Sequence, residues 1–122
     1  GYGSPWHAVD QVFLQNAVTT SGACAIDRAY VMSYYDSCTL QQNESFMTQW
    51  KSWLEQNCGM SASQISCGVD PNDPQTTPST GLAEWIRFAR ENGFSTAIWD
   101  QSGSQDFADK AWGAYIENLY NA

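Results

Sequence analysis

Three short segments of the chain place acidic and aromatic or amide side chains next to one another. They read "YYD" at 34–36, "DPND" at 70–73 and "WDQ" at 99–101. Aromatic rings stack on the apolar faces of sugar rings, while carboxylates and amides accept hydrogen bonds from sugar hydroxyls. Two carboxylates can also divide the acid and base roles of glycoside cleavage. The candidates for such a catalytic pair are Asp36, Asp70, Asp73 and Asp100.

The elements that must position these segments alternate along the chain. Apolar residues at helical spacing predict four helices, at 6–18, 45–57, 80–92 and 106–120. Apolar and β-branched runs predict three strands, at about 26–34, 64–70 and 94–100. The order α-β-α-β-α-β-α is typical of parallel βαβ units. We therefore predict an α/β fold in a single domain spanning residues 1–122.

Each predicted strand ends at one of the acidic segments. Because ligands of parallel α/β proteins meet the carboxyl ends of the strands, the three segments are expected to form one site. An Asp after a strand is also ordinary loop and helix-capping chemistry, but three such ends together favour a site. The residues at these ends are Tyr34, Tyr35, Asp36, Asp70, Asn72, Asp73, Trp99, Asp100 and Gln101. The helical tryptophans Trp50, Trp53, Trp85 and Trp112 are interpreted as packing residues.

Charge and motif content exclude several classes of function. The chain has 122 residues, a net charge of −8 and only five Lys and Arg. We therefore expect neither a nucleic acid nor an anionic membrane as partner, and no apolar run has the roughly 20 residues of a membrane helix. His7 is the only histidine, so no metal site or catalytic triad based on histidine is predicted. No cofactor motif is present, and we expect no cofactor.

The cysteines favour an oxidising compartment. Cys24, Cys38, Cys58 and Cys67 are separated by 13, 19 and 8 residues, which matches no zinc-binding pattern. Two disulfides and a secreted protein are therefore predicted, with the pairing left open. An extended strand over 25–35 would separate Cys24 from Cys38 and so favours pairs between different units. Asn43 begins an Asn-Glu-Ser glycosylation sequon, consistent with secretion.

The strand ends resemble the last part of a (β/α)8-barrel glycoside hydrolase, closest to the family 18 chitinases. A late strand of that family reads Met-x-Tyr-Asp, and "VMSYYD" at 31–36 is similar. "ISCGVDP" at 65–71 resembles the next strand, and "GFSTAIWDQSG" at 93–103 resembles the last one, which ends in a Trp below the central sugar. The resemblance covers about residues 22–122. It implies that sugar is contacted by Met32, Tyr34 or Tyr35, Asp36 and Trp99.

The chain departs from this family at the catalytic strand. Family 18 enzymes carry Asp-x-x-Asp-x-Asp-x-Glu, whose Glu donates the proton, but "DPNDPQTT" at 70–77 places Gln75 and Thr77 at the last two motif positions. Three strands also cannot close an eight-stranded barrel. Because a three-stranded parallel sheet has two open edges and two apolar faces, we expect a second copy or a missing N-terminal barrel part to cover it.

Two main functions follow from these patterns. The first is a secreted carbohydrate-active or glycan-binding protein, with a polysaccharide or oligosaccharide as ligand. The expected ligand contacts are Met32, Tyr34, Tyr35, Asp36, Asp70, Trp99, Asp100 and Gln101. The second is an extracellular structural subunit that assembles into oligomers or filaments. A third interpretation is a small lysozyme-like α+β glycosidase, in which Glu44 or Glu55 would donate the proton.

Overall fold

The computed structural model describes residues 11–12, 15–16, 25–32, 38–70, 81–98, 113–118 and 121. It contains two helices, α1 (Leu40–Cys58) and α2 (Leu82–Glu91), and three strands, β1 (Ala29–Val31), β2 (Ile65–Val69) and β3 (Ser95–Ile98). A single 3-10 turn, Ala62–Gln64, leads into β2. Residues 11–12, 15–16, 113–118 and 121 are also helical, within the first and last helices predicted from sequence or directly after the last one.

The three strands form one parallel sheet in the order β1-β2-β3. Ala29, Tyr30 and Val31 of β1 stand opposite Ile65, Ser66 and Cys67 of β2. On the other side of β2, the four pairs run from Ser66–Ser95 to Val69–Ile98. The predicted α/β class and parallel pairing are therefore confirmed, and the parallel sheet argues against the α+β alternative. The β1 pairing spans three residues, so this strand is much shorter than the predicted 26–34.

Helix α1 begins five residues before the predicted start because its first turn is closed by a capping box. The Thr39 hydroxyl accepts a hydrogen bond from the Gln42 backbone N–H at 3.2 Å, and the Gln42 side chain accepts one from the Thr39 N–H at 2.8 Å. These two bonds satisfy backbone donors that helix ends leave open. The helix ends at Gly59, whose φ of 64° is left-handed, and the Met60 N–H bonds back to the Leu54 carbonyl.

The core lies between the sheet and the two helices. All five residues of β2 are buried, and their apolar members join one cluster with Met47, Trp50 and Leu54 of α1 and with Leu82, Trp85, Ile86 and Ala89 of α2. Trp85 is fully buried, and its indole N–H donates to the Gly68 carbonyl at 2.9 Å. The interpretation of Trp50 and Trp85 as packing residues is therefore confirmed, while Trp112 lies outside the described residues.

The two faces of the sheet differ in chemistry. One row across the three strands consists of Val31, Cys67 and Thr96. Val31 and Cys67 belong to the hydrophobic core. The Thr96 hydroxyl also hydrogen-bonds the Tyr115 hydroxyl at 2.7 Å, which fixes helical residues 113–118 to the sheet.

The neighbouring row, Tyr30, Ser66 and Ser95, points to the opposite face. There the Ser66 and Ser95 hydroxyls share a 2.6 Å hydrogen bond, and Arg28 donates to the Ser95 hydroxyl at 3.1 Å. Ser66 and Ser95 make the middle of this face polar, which differs from the wholly apolar face expected from sequence, while Tyr30 of the same row is 54% exposed. The reason is the alternation of Ser66 and Gly68 with larger apolar residues along β2.

Within the described residues, no helix has the length and hydropathy that a bilayer-spanning segment requires.

Candidate functional site

The sequence predicts a site at the carboxyl edge of the sheet. Met32 follows β1 directly, Asp70 follows β2, and Trp99 follows β3. Because the strands are parallel and adjacent, their ends lie on the same side of the fold. Met32 is 61% exposed there, as a residue that contacts a ligand needs to be, whereas Asp70 is fully buried. The edge therefore combines an open apolar side chain with a carboxylate beneath the surface.

Asp70 has the environment of a supporting residue. Its side chain is 0% exposed and has an interaction within the chain, while its Oδ2 atom accepts no hydrogen bond from the described residues. A carboxylate at this depth does not contact a large ligand directly. Its influence on a ligand would pass through the residues that surround it.

The other predicted site residues lie outside the described part of the chain. They are Tyr34, Tyr35, Asp36, Asp73, Trp99, Asp100 and Gln101. Their roles in sugar binding or catalysis therefore stay predictions. The described strands support them only by locating the points at which these segments leave the sheet.

The amino edge of the sheet carries a polar cluster that the sequence patterns did not single out. Arg28, next to β1, donates to the Ser95 hydroxyl of β3 and, at 3.4 Å, to the Ser63 carbonyl before β2. Gln64 donates to the Asp27 carbonyl at 2.9 Å. These bonds tie together the starts of all three strands.

The alternative proton donors, Glu44 and Glu55, both lie on α1. Burial raises the pKa of Glu44, and repulsion from Glu84 and Glu91 of α2 raises it further. A raised pKa is a property of carboxyl proton donors, but like-charged neighbours between two packed helices produce it without any catalytic role. Glu55 is exposed about one turn before the end of the helix.

The Asn43 side chain is 3% exposed, in the first turn of α1. A glycan on Asn43 would need to leave this packed position, so its burial counts against the predicted modification of the folded chain. The neighbouring sequon residues are more open, Glu44 being half-buried and Ser45 exposed.

The structure contains no disulfide among Cys38, Cys58 and Cys67, the three cysteines that it describes. Cys58 and Cys67 are buried, and Cys38 is half-buried. Burial raises the pKa of the Cys67 thiol. Cys24 lies outside the described residues, so the prediction of two disulfides stays a prediction.

A second surface feature lies on α1, on the side away from the sheet. Thr48, Gln49, Ser52, Trp53 and Gln56 line an open groove of about 330 Å³. Trp53 was interpreted from sequence as a packing residue, and it is only half-buried. The signal for this groove in the sequence is the run of uncharged polar residues at helical spacing opposite the apolar stripe.

The described residues contain no group of three or more His, Cys, Asp or Glu placed to hold a metal ion. No protein-family model matches the chain, and no curated protein or solved structure shows significant similarity to it. The likeness to family 18 glycoside hydrolases therefore depends on the strand-end motifs alone.

Proposed function

We propose that this chain is a secreted carbohydrate-active or glycan-binding protein that resembles the C-terminal half of a glycoside hydrolase barrel. The observation that carries the proposal is the sheet, in which three neighbouring strands run parallel in sequence order with helices between them. Residues that follow such strands share one edge, where ligands of α/β proteins bind. In this chain each strand is followed by an acidic segment, and two of those segments contain aromatic residues.

The proposed roles follow from the chemistry of each side chain. Trp99 and Tyr34 or Tyr35 would stack on sugar rings, and Met32 would add an exposed apolar contact beside them. Asp36, Asp100 and Gln101 would accept hydrogen bonds from sugar hydroxyls. Because the family's proton-donating Glu has no counterpart in "DPNDPQTT", binding without cleavage is the primary proposal.

Calorimetric titration with chitohexaose and cellohexaose tests the proposed binding site. Trp99→Ala and Asp100→Asn are each expected to weaken binding about tenfold or more, as expected for an aromatic anchor and a charged acceptor. Glu91→Gln is the matched control, because Glu91 is an exposed carboxylate at the end of α2, next to the amino end of β3. Unchanged affinity in both site variants would contradict the proposal.

Catalysis is a separate question with its own measurement. If the chain cleaves chitin oligomers, a carboxyl pair among Asp36, Asp73 and Asp100 would carry the reaction, since the fourth candidate from sequence, Asp70, is fully buried. Loss of oligomer cleavage in Asp36→Asn would support a glycoside hydrolase. Activity that survives Asp→Asn substitution at each of the three positions would exclude these carboxyls as the catalytic groups.

A structural subunit is the second candidate, and β1 is the observation that favours it. β1 is an outer strand of the described sheet. The side chain of Tyr30 in this strand is 54% exposed, and that of Met32, directly after the strand, is 61% exposed. Two large apolar side chains on an edge strand are a typical contact between copies. Light scattering would show a mass above 13.6 kDa that Tyr30→Lys and Met32→Lys reduce. A monomer at all concentrations would exclude this function.

A further inference from the structure

We infer that the outward side of α1 is a second saccharide-binding surface, selective for uncharged sugars. The surface consists of the five groove residues, Thr48, Gln49, Ser52, Trp53 and Gln56. It depends on the proposed function only for its ligand class, since it lies on a helix and not at the carboxyl edge of the sheet. The two sites can therefore fail or succeed independently.

The groove residues form one continuous strip along the helix. They occupy positions i, i+1, i+4, i+5 and i+8, which lie on one side of an α-helix. Met47, Trp50 and Leu54 occupy the other side and are buried in the core. Thr48, Gln49, Ser52 and Gln56 are exposed, and Trp53 is half-buried at the border between the two sides. The strip is thus open to a ligand along about two helical turns.

The groove is lined without a single charged side chain, in a chain whose net charge is −8. Outward sides of helices in soluble proteins normally carry charges, which keep the surface solvated. Here the charged residues Glu44, Lys51 and Glu55 lie to one side, between the groove and the buried residues. A lining of amides and hydroxyls matches the hydroxyl groups of a neutral saccharide. An anionic sugar would be repelled by the net charge of the protein.

Trp53 supplies the flat apolar surface that sugar rings require. Its ring packs edge-to-face against the buried Trp50 ring, with centroids 6.0 Å apart and an interplanar angle of 83°. This contact holds the indole in place before any ligand arrives, which lowers the entropy lost on binding. The indole N–H of Trp53 donates to no described residue, so it remains available to a sugar oxygen.

The polar groups around Trp53 offer both donors and acceptors. The Gln49 amide nitrogen donates to the carbonyl and hydroxyl oxygens of Ser45, both at 3.3 Å, which leaves its Oε1 to accept. Thr48 donates to the Glu44 carbonyl at 3.0 Å and can still accept at its hydroxyl oxygen. The side chains of Ser52 and Gln56 hydrogen-bond no described residue. A sugar hydroxyl, which donates and accepts at once, finds partners of both kinds.

Titration of the ¹⁵N-labelled full chain tests the inference. The probes are cellohexaose, chitohexaose and xylohexaose, with hexagalacturonate as an anionic probe of similar length. We expect at least one neutral hexamer to shift the indole N–H resonance of Trp53 and the side-chain amide of Gln56, while hexagalacturonate shifts neither. Trp53→Phe identifies the indole resonance and preserves an aromatic ring against Trp50.

Affinity measurements on variants complete the test. Trp53→Ala is expected to weaken binding of the neutral hexamer about tenfold or more. Gln56→Glu, at an exposed helical position, is expected to weaken this binding as well. Gln15→Glu is the matched control, since Gln15 is another exposed helical glutamine, and it is expected to change nothing.

The outcomes separate the two saccharide sites. Absence of shifts at Trp53 and Gln56 with all three neutral hexamers overturns the inference, as does unchanged affinity in both Trp53→Ala and Gln56→Glu. If Trp99→Ala alone abolishes binding, the site at the carboxyl edge stands and the groove does not. If Trp53→Ala weakens binding and Trp99→Ala does not, the groove stands without the proposed site. Equal binding of hexagalacturonate would overturn the selectivity for uncharged sugars.

Discussion

The Trp85 indole N–H donates a 2.9 Å hydrogen bond to the Gly68 carbonyl and thereby joins α2 to the central strand. Trp85 is fully buried and its ring stacks on Phe88, with centroids 5.4 Å apart. One side chain therefore supplies both a polar link to the sheet and buried packing area in the core.

Trp85→Phe is expected to lower the free energy of unfolding by about 2 kcal/mol, because it removes the hydrogen bond and leaves a small cavity. Urea denaturation measures this loss. Trp53→Phe is the matched control, since the Trp53 ring is half-buried and its N–H bonds no described residue. Equal losses in the two variants would show that the bond to Gly68 contributes nothing.

The capping box of α1 gives a second prediction. Thr39→Ala removes the hydroxyl that accepts from the Gln42 N–H and is expected to destabilise the protein by about 1 kcal/mol. Thr39→Ser keeps an acceptor at the same position and should retain most of the stability. The comparison uses urea midpoints at constant m-value. A Ser variant as unstable as the Ala variant would mean that the methyl group of Thr39, and not the cap, is responsible.

Glu44 gives a prediction for pH. Burial and repulsion from Glu84 and Glu91 raise its pKa in the folded state above the ordinary 4.5. The ionised carboxylate therefore costs stability above the folded-state pKa, and the cost disappears as the pH falls below 4.5, where the group is protonated in both states. Glu44→Gln should be more stable than the parent at pH 7 and equal to it near pH 3. Because solvent screens a carboxyl that is only partly buried, the gain at pH 7 should stay below about 0.5 kcal/mol.

Thermal unfolding of the Glu44→Gln variant across this pH range measures the difference. Glu55→Gln is the control, because it removes the same charge from an exposed position on the same helix. A gain for Glu44→Gln that persists unchanged at low pH would indicate an effect of the amide itself and not of the charge.

Cys67 gives a prediction for thiol reactivity. Its side chain is fully buried and burial raises its pKa, so little reactive thiolate is present in the folded state. In reduced protein at pH 8, iodoacetamide should modify the half-buried Cys38 first and reach Cys67 only through unfolding. Peptide mass spectrometry after timed quenching measures both rates, and urea should make them similar. Equal rates in the folded protein would contradict the burial of Cys67.

The elements that could be predicted from sequence are those with both an apolar pattern and residues that mark their ends. β2 and α2 match their predicted ranges to within two residues, because each combines an apolar pattern with clear stop signals, such as Gly93 after α2. The start of α1 was predicted too late because residues 40–44 are largely polar and carry no apolar period. The signal that marks the start is the Thr39–Gln42 capping box, which a search for apolar spacing does not detect.

The depth of the candidate site residues was less predictable. Asp70 and Met32 both follow strands, yet one is fully buried and the other 61% exposed. A strand-end position determines where a residue leaves the sheet, but its burial depends on segments that are distant in sequence. The half-buried position of Trp53 has a local origin, since its angle around α1 places it at the border of the core.

The three-residue pairing of β1 has a consequence for the order of assembly. One continuous segment, residues 65–98, contains β2, α2 and β3, and these elements contact one another. They can therefore form a local folding unit that loses little entropy on loop closure. β1 adds only three pairs to this unit and must close the span of α1 to do so. Its amide hydrogens are therefore expected to exchange with solvent sooner than those of β2. We also expect β1 to join the sheet last, so that the carboxyl edge forms only in the final step of folding.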